Sequence, residues 1–246
     1  MKILISKKTG IYYYYKEGSG DYHCKEGFLK AEDIISGENI IVSNNKGEFF
    51  VFDANIYDKR QKIKRGPQII NPKDLGYIAA RTGMNKKTML IEAGGGSGAA
   101  TLFFSGICSK VLCYEIKEDH CKIIRKNLEL FEIDNVDLIN GDLSENIENI
   151  SEQADIVFLD MPDPAIVLEK NLKCLKKGGF IVCYIPSIGQ IMEISKLVCD
   201  DSNKYYFEEV SEVILRNWKV KGRVSRPEHK KETDHTAFLV FIRKVS

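Results

Sequence analysis

From Thr88 onward, short apolar runs alternate with stretches whose apolar residues recur at helical spacing. Residues 89–91, 111–116, 136–140, 154–159 and 180–185 are apolar or β-branched runs of strand length, and each predicts a buried strand. Between them, residues 99–104 open a helix, and 119–131 place Ile123, Ile124, Leu128 and Phe131 on one face. Residues 165–175 read as a further helix, stopped by Lys176, Lys177, Gly178 and Gly179. Such alternation predicts a parallel sheet with right-handed crossovers. The pattern then changes. Residues 207–220 and 236–243 are both strand-like, and the polar stretch 221–235 between them is too short for a helical crossover. Those two strands are expected to be antiparallel.

The chain before residue 57 has a different rhythm. Aromatic and β-branched runs at 11–15, 39–42 and 48–52 are separated by turns at 18–20 and 44–47, with no helical period. This predicts a small all-β domain, residues 1–64, ahead of an α/β domain, residues 65–246. Tyr12, Tyr13, Tyr14 and Tyr15 read as a strand with core on one face and wet tyrosines on the other; a base-stacking platform is the alternative. Residues 57–72 read as a linker. A helix follows, with Asp74 near its start and Leu75, Ile78, Ala79 and Met84 as its apolar face.

Chemistry concentrates after the first α/β strand. Glu92 and Ala93 run into Gly94, Gly95, Gly96, Ser97 and Gly98. Glycines let backbone N–H groups approach a ligand, and the helix that follows adds unpaired donors. Gly94, Gly96 and Ala99 meet the loose dinucleotide fingerprint, which is weak alone. Glu92 with Gly94, Gly96 and Gly98 also spells the E-x-G-x-G-x-G of S-adenosylmethionine methyltransferases. An acid at that strand end suits a cofactor with an ammonium and repels a pyrophosphate. Glu92, Glu115, Asp142 and Asp160 each fall at or just after a predicted strand end, the edge at which such sheets bind ligands. Glu115 is placed for ribose hydroxyls, Asp142 for the adenine amino group and Glu92 for the ammonium. Each acid could instead be an ordinary helix cap. Asp160, before the stiff loop of Pro162 and Pro164, is the catalytic candidate, a carboxylate to take up charge from a base amine during methyl transfer.

Composition narrows the classes. The 246 residues, 43% hydrophobic, allow one large domain with a small extra one. No apolar run reaches about 18 residues, so no membrane span is expected. The N-terminus lacks a secretion signal pattern, and the seven scattered cysteines contain no C-x-x-C pair, as in a cytoplasmic protein with buried thiols and no metal site. Net charge is +1, so only local clustering bears on nucleic acid. Five Lys or Arg crowd residues 59–65, and seven lie between Arg216 and Lys231 against one acid, Glu228. Lys59, Arg60, Lys62, Arg223 and Arg226 are therefore candidate phosphate contacts. His229 and His235 read as structural.

Residues 91–98, Tyr114 with Glu115, 159–164, 184–190, Arg226 with Pro227, and 235–240 together resemble the T-loop tRNA (adenine-N1) methyltransferases of the adenine 57/58 class. Residues 65–74, with Gln68, fit the family's lead-in to the cofactor site. The similarity runs from about residue 57 to the end. It implies a class I, Rossmann-like methyltransferase sheet with a C-terminal antiparallel hairpin, preceded by a small β domain. It also implies S-adenosylmethionine held by Gln68, Glu92, Gly94, Gly96, Ser97, Gly98, Glu115, Asp142 and Asp160. Asp160 would contact the target adenine, tRNA would be the partner and a homotetramer the assembly. Two positions depart from the family: Ala165 replaces a Trp that could shape the target pocket, and Gly95 replaces a Thr, a change expected to be permissive. A same-fold methyltransferase acting on isoaspartate or a small molecule, and a non-catalytic tRNA-binding subunit, are the rival readings.

Overall fold

Alternation of inward and outward side chains builds the first of two compact units, Met1–Lys62, in the computed structural model, which describes residues 1–64, 66–228 and 235–246. Its strands are β1 (Lys2–Ser6), β2 (Tyr12–Tyr15), β3 (Tyr22–Cys24), β4 (Gly27–Leu29), β5 (Ile40–Val42) and β6 (Glu48–Asp53). Four of them form an antiparallel sheet in the order β2-β1-β6-β5, and β3 pairs with β4. Leu4, Tyr15, Ile41, Phe49 and Val51 point inward and pack with Leu29 and Ile34. Tyr12 faces solvent and Tyr13 packs edge-on against Phe49, so the tyrosine run is a half-buried strand.

Two short helices were not legible in the sequence. Helix α1 (Ala31–Ile35) interrupts the β domain, and α2 (Ile56–Gln61) occupies part of the expected linker. The second is set by Asn55, whose side chain accepts from the N–H groups of Tyr57 and Asp58, while Asp58 accepts from the Asn55 N–H. This reciprocal cap is enough to start a helix inside a charged run.

The second unit, Ile63–Ser246, begins with α3 (Pro72–Arg81), capped by Asn71; Met84 lies beyond its end. Then come β7 (Met89–Ala93), α4 (Ala99–Ser105), β8 (Lys110–Glu115), α5 (Glu118–Leu130), β9 (Val136–Asn140) and α6 (Leu143–Asn146). They are followed by β10 (Ala154–Leu159), α7 (Ala165–Leu168), β11 (Leu175–Ile185), α8 (Ile188–Asp200), β12 (Tyr205–Ser211), β13 (Trp218–Lys221), β14 (Val224–Pro227) and β15 (Phe238–Lys244). The seven-stranded sheet has the order β12-β15-β11-β10-β7-β8-β9. Strands β7 to β11 are mutually parallel, and β15 runs antiparallel between β11 and β12, as expected. Strand order reverses between β7 and β10, the place where open α/β sheets hold ligands.

Three boundaries differ from the sequence reading. The helix expected over 165–175 ends at Leu168. The glycines that seemed to stop it lie inside β11, where register jumps from Leu175 to Phe180 across an irregularity opposite Ala154 and Ile156. The strand expected over 207–220 breaks at Ser211, and its last residues form a separate hairpin, β13–β14. Among the described residues, no helix is long and apolar enough to cross a membrane.

Candidate active site

Chain reversal after β7 depends on Gly94. Its φ is +88°, and a Cβ there would sit 1.8 Å from the Asp160 carbonyl oxygen. Only glycine allows the loop to lie against the backbone that follows β10. The Asp160 N–H completes the junction by donating to the Ala93 carbonyl at 2.9 Å. Gly95, expected to be a permissive replacement for Thr, sits in a crowded place. A Cβ there would meet Cys113 Sγ at 2.6 Å and Ile124 Cδ1 at 2.8 Å. A larger residue at this position needs smaller neighbours on β8 and α5 than this chain has.

The strand-end acids gather around this loop, in different states. Glu115 Oε2 accepts from the Gly96 N–H at 2.8 Å, and Oε1 accepts from the Lys117 N–H at 2.9 Å. His120 Nδ1 lies 3.3 Å from the same Oε1. Asp142 caps α6, with Oδ1 accepting from Ser144 N and Oγ. Asp160 is pushed up to about 7, first by burial and then by the Glu115 charge. Glu92 is fully buried and neither of its oxygens has a hydrogen-bond partner among the described residues. Burial, with the charges of Asp160 and Glu115, raises it to about 8; Thr101 and Cys113 offset this only in part.

A cavity of about 400 Å³ opens at this rim. Gln68, Gly94, Gly96, Glu115, Asp142 and Asp160 line it, as does His120, which the sequence reading missed. Glu92, Ser97 and Gly98 are absent from that lining. Glu92 is fully buried at the end of β7, between Cys113 of β8 and Phe158 of β10, and feels the charges of the cavity residues Asp160 and Glu115. Ser97 Oγ accepts from the Gly66 N–H at 2.9 Å and donates to the Pro67 carbonyl at 3.2 Å, so it holds the lead-in segment. Gly98 is the left-handed cap of α4. Buried Asn127 adds to the clamp, with Nδ2 donating to the carbonyls of Lys64 and Ser97 and Oδ1 accepting from Lys64 N–H. A polar residue in the apolar register of α5 was the only signal for it.

A second cavity, about 350 Å³, shares Gln68, Asp160, Met161 and Pro162 with the first and adds Tyr184, Gln190 and Thr236. Asp160 therefore stands in the walls of both. Gln190 Nε2 donates to the Pro162 carbonyl at 2.7 Å and stiffens the loop after Asp160. Ala165 lines neither cavity and is buried at the start of α7.

The basic candidates divide. Arg223 and Arg226 are exposed on the β13–β14 hairpin, where Arg226 pairs across from Lys219. Lys59, Arg60 and Lys62 belong to the first unit. Lys59 is half-buried and Lys62 is exposed over the Tyr14 ring, whereas Arg60 is only 5% exposed and is no surface phosphate contact there. Arg65, His229, Lys230 and Lys231 lie outside the described residues. His235 is bonded to Glu212 at 2.7 Å, which raises its pKa, and lies 3.3 Å from the Pro186 carbonyl, as in a structural role. Among the described residues, no group of three or more His, Cys, Asp or Glu is placed to hold a metal.

Comparison with known proteins points one way. The family model described as tRNA methyltransferase complex GCD14 subunit matches residues 60–237. A tRNA (adenine(58)-N(1))-methyltransferase of Thermus thermophilus is 30% identical, covering 98% of this chain and 96% of its own. Among solved structures, a SAM-dependent O-methyltransferase from Thermotoga maritima superposes with a TM-score of 0.82 at 26% identity, covering all of this chain and 92% of its own. The tRNA (m1A58) methyltransferase of Aquifex aeolicus superposes at 0.78, also 26% identical, covering all of this chain and 96% of its own.

Proposed function

The chain belongs to the GCD14 family of tRNA methyltransferase subunits, and from that premise we propose that it methylates N1 of an adenine in the T-loop of tRNA, using S-adenosylmethionine. The observation that carries this reading is Asp160, which stands in the walls of two adjoining cavities of about 400 and about 350 Å³, room for a cofactor and for a base beside it.

The residues present fit the cofactor. The larger cavity lies in the usual size range for small-molecule sites and has acceptors at its rim. Each Glu115 oxygen already takes a backbone N–H and keeps acceptor capacity for the ribose hydroxyls. Asp142 uses only Oδ1 in its cap, which leaves Oδ2 for the adenine amino group. Gly94 and Gly96 bring backbone against the same space, and Gln68 closes it. When bound, S-adenosylmethionine supplies an electrophilic methyl group on a sulfonium.

Asp160 does the work on the acceptor. The N1 lone pair of adenine is the nucleophile, so no residue must activate it. Positive charge develops on the base as the N1–C bond forms, and it is shared with the exocyclic amine. The Asp160 carboxylate accepts a hydrogen bond from that amine and stabilises the charge. It must be ionised to do so, and a cationic base beside it favours the ionised form. T-loop adenines are paired in folded tRNA, so the target is extruded into the second cavity. Lys59, Lys62, Arg223 and Arg226 are assigned to the phosphates, and Arg60 is withdrawn from that role.

We assign residues 65–246 to catalysis and residues 1–64 to a β domain, in a cytoplasmic homotetramer. The O-methyltransferase description of the Thermotoga protein favours a second reading, methylation of an oxygen. Mapping the methyl group in purified tRNA incubated with the protein and cofactor decides. The expected product is 1-methyladenosine in the T-loop. A 2′-O-methyl group, or no product from a protein that binds cofactor, contradicts the proposal.

A further inference from the structure

One wall is common to both cavities. Pro67 and Gln68 line the first, and Gln68, Ile69 and Ile70 line the second. They lie in the stretch that leads into α3, where no described residue from 63 to 71 belongs to a helix or strand. Side chains hold this stretch instead. Asn127, on α5, is 1% exposed. Its Oδ1 accepts from the Lys64 N–H at 2.8 Å, and its Nδ2 donates to the Lys64 carbonyl at 3.1 Å and to the Ser97 carbonyl at 2.9 Å. Ser97 Oγ in turn takes the Gly66 N–H and gives its hydrogen to the Pro67 carbonyl. Packing leaves little slack. A Cβ on Gly66 would meet Ile123 Cδ1 at 2.8 Å, and one on Gly96 would meet Pro67 Cγ at 3.2 Å.

An asparagine is a costly choice for the buried side of α5. A buried amide does little more than recover what it loses by leaving water, whereas a leucine there would add apolar burial. What the amide supplies is one acceptor and two donors in a single plane. Lys64 and Ser97 present the matching set, one N–H and two carbonyls. A carboxylate lacks the donors, leucine lacks all three groups, and glutamine carries its amide one methylene further out. The position is therefore fitted to asparagine, and what the asparagine holds is a cavity wall.

Resting on the proposed function, we propose that Asn127 is a positioning residue: by anchoring Lys64 and Ser97 it keeps Gln68 in the wall shared by the two cavities. Asn127 itself lines neither cavity. Without the anchor, the stretch leaves the wall in part of the population. Apparent cofactor affinity then falls in proportion to the fraction of molecules in which the wall is in place. Bound cofactor restores the wall, so the loss shows in affinity and not in the chemical step.

The test uses Asn127→Leu, which fills similar space on the helix without the amide. S-adenosylmethionine affinity is measured by calorimetry, and kcat and KM are measured with tRNA. The variant is expected to bind cofactor about tenfold more weakly and to raise the cofactor KM about as much, with kcat at saturation within about threefold of wild type. Hydrogen exchange in the unliganded protein reads the wall directly. The Lys64 and Gly66 amides should exchange faster, while those of β7 and β10 keep their protection. Should Asn127→Leu misfold, Asn127→Ala is judged by the same criteria. Unchanged affinity, a fall in kcat with KM unaltered, or faster exchange throughout the sheet overturns the proposal and leaves Asn127 a residue of the core. A wild-type protein that binds cofactor but methylates no tRNA overturns the functional reading alone, because the affinity and exchange measurements still decide the role of Asn127.

Discussion

Glu92 and Asp160 are carboxylates whose native pKa values rise to about 8 and about 7. The unliganded native state thus holds protons that the unfolded chain has released, so their contribution is greatest in acid. It is lost as pH climbs through the native values. The unliganded protein should lose stability between about pH 4.5 and about pH 8, by about 1.4 kcal/mol for every tenfold difference in proton affinity between the two states. Glu92→Gln should flatten much of that slope in denaturant titrations run across the pH range; parallel wild-type and mutant curves would show that Glu92 ionises freely. The acids were legible in the sequence because each one ends an apolar run, and run ends mark the sheet edge. Their individual environments were not. Glu92 is fully buried, and nothing in a run of letters says how deeply a strand-end acid is sunk. Tyr184, Thr236 and His120 were missed as site residues because they come from three separate segments, and only the fold makes them neighbours.

At the scale of elements, the parallel strands were readable because both faces of each are covered, which demands continuous apolar runs. The short helices were hidden: α2 depends on its local cap at Asn55, and α1 starts at Lys30 with no side-chain cap to mark it. The error at 165–175 has a similar cause: two glycines after two lysines look like a helix stop, and here they form an irregularity inside β11. Glycine therefore needs its surroundings to be interpreted, and a pair of variants makes the point measurable. Gly94 and Gly178 both have positive φ, +88° and +77°, but only Gly94 is crowded, by the Asp160 carbonyl. Gly178→Ala should cost about 1–2 kcal/mol of backbone strain and leave turnover intact. Gly94→Ala adds a clash, typically a further ~1–3 kcal/mol, and should displace the Asp160 loop and abolish cofactor binding. Calorimetry and denaturation on the two proteins test this; equal behaviour would mean that the β7 and β10 loops are not locked together.

For the whole molecule, a net charge of +1 hides an uneven distribution. The hairpin was not foreseen as a separate element, yet its basic character was, because charge clustering survives an error in strand boundaries. It sets Lys219 directly opposite Arg226, and Arg223 stands exposed at its turn. Like charges facing each other across strands are unfavourable in isolation, and an anion relieves them. Replacing Arg223 and Arg226 with Ala should weaken tRNA binding and lower the slope of log affinity against log salt by roughly 0.7–0.9 for each phosphate no longer neutralised. An unchanged slope would make the hairpin a bystander. The central claim is that one carboxylate, placed between two cavities, stabilises the adenine as it becomes cationic. Single-turnover methylation by Asp160→Asn at saturating tRNA and cofactor tests it most directly. The variant keeps the shape and an acceptor but loses the charge, so methyl transfer should slow by at least about a hundredfold, with cofactor affinity changed far less. A rate within a few-fold of wild type would contradict the account and leave Asp160 a structural residue.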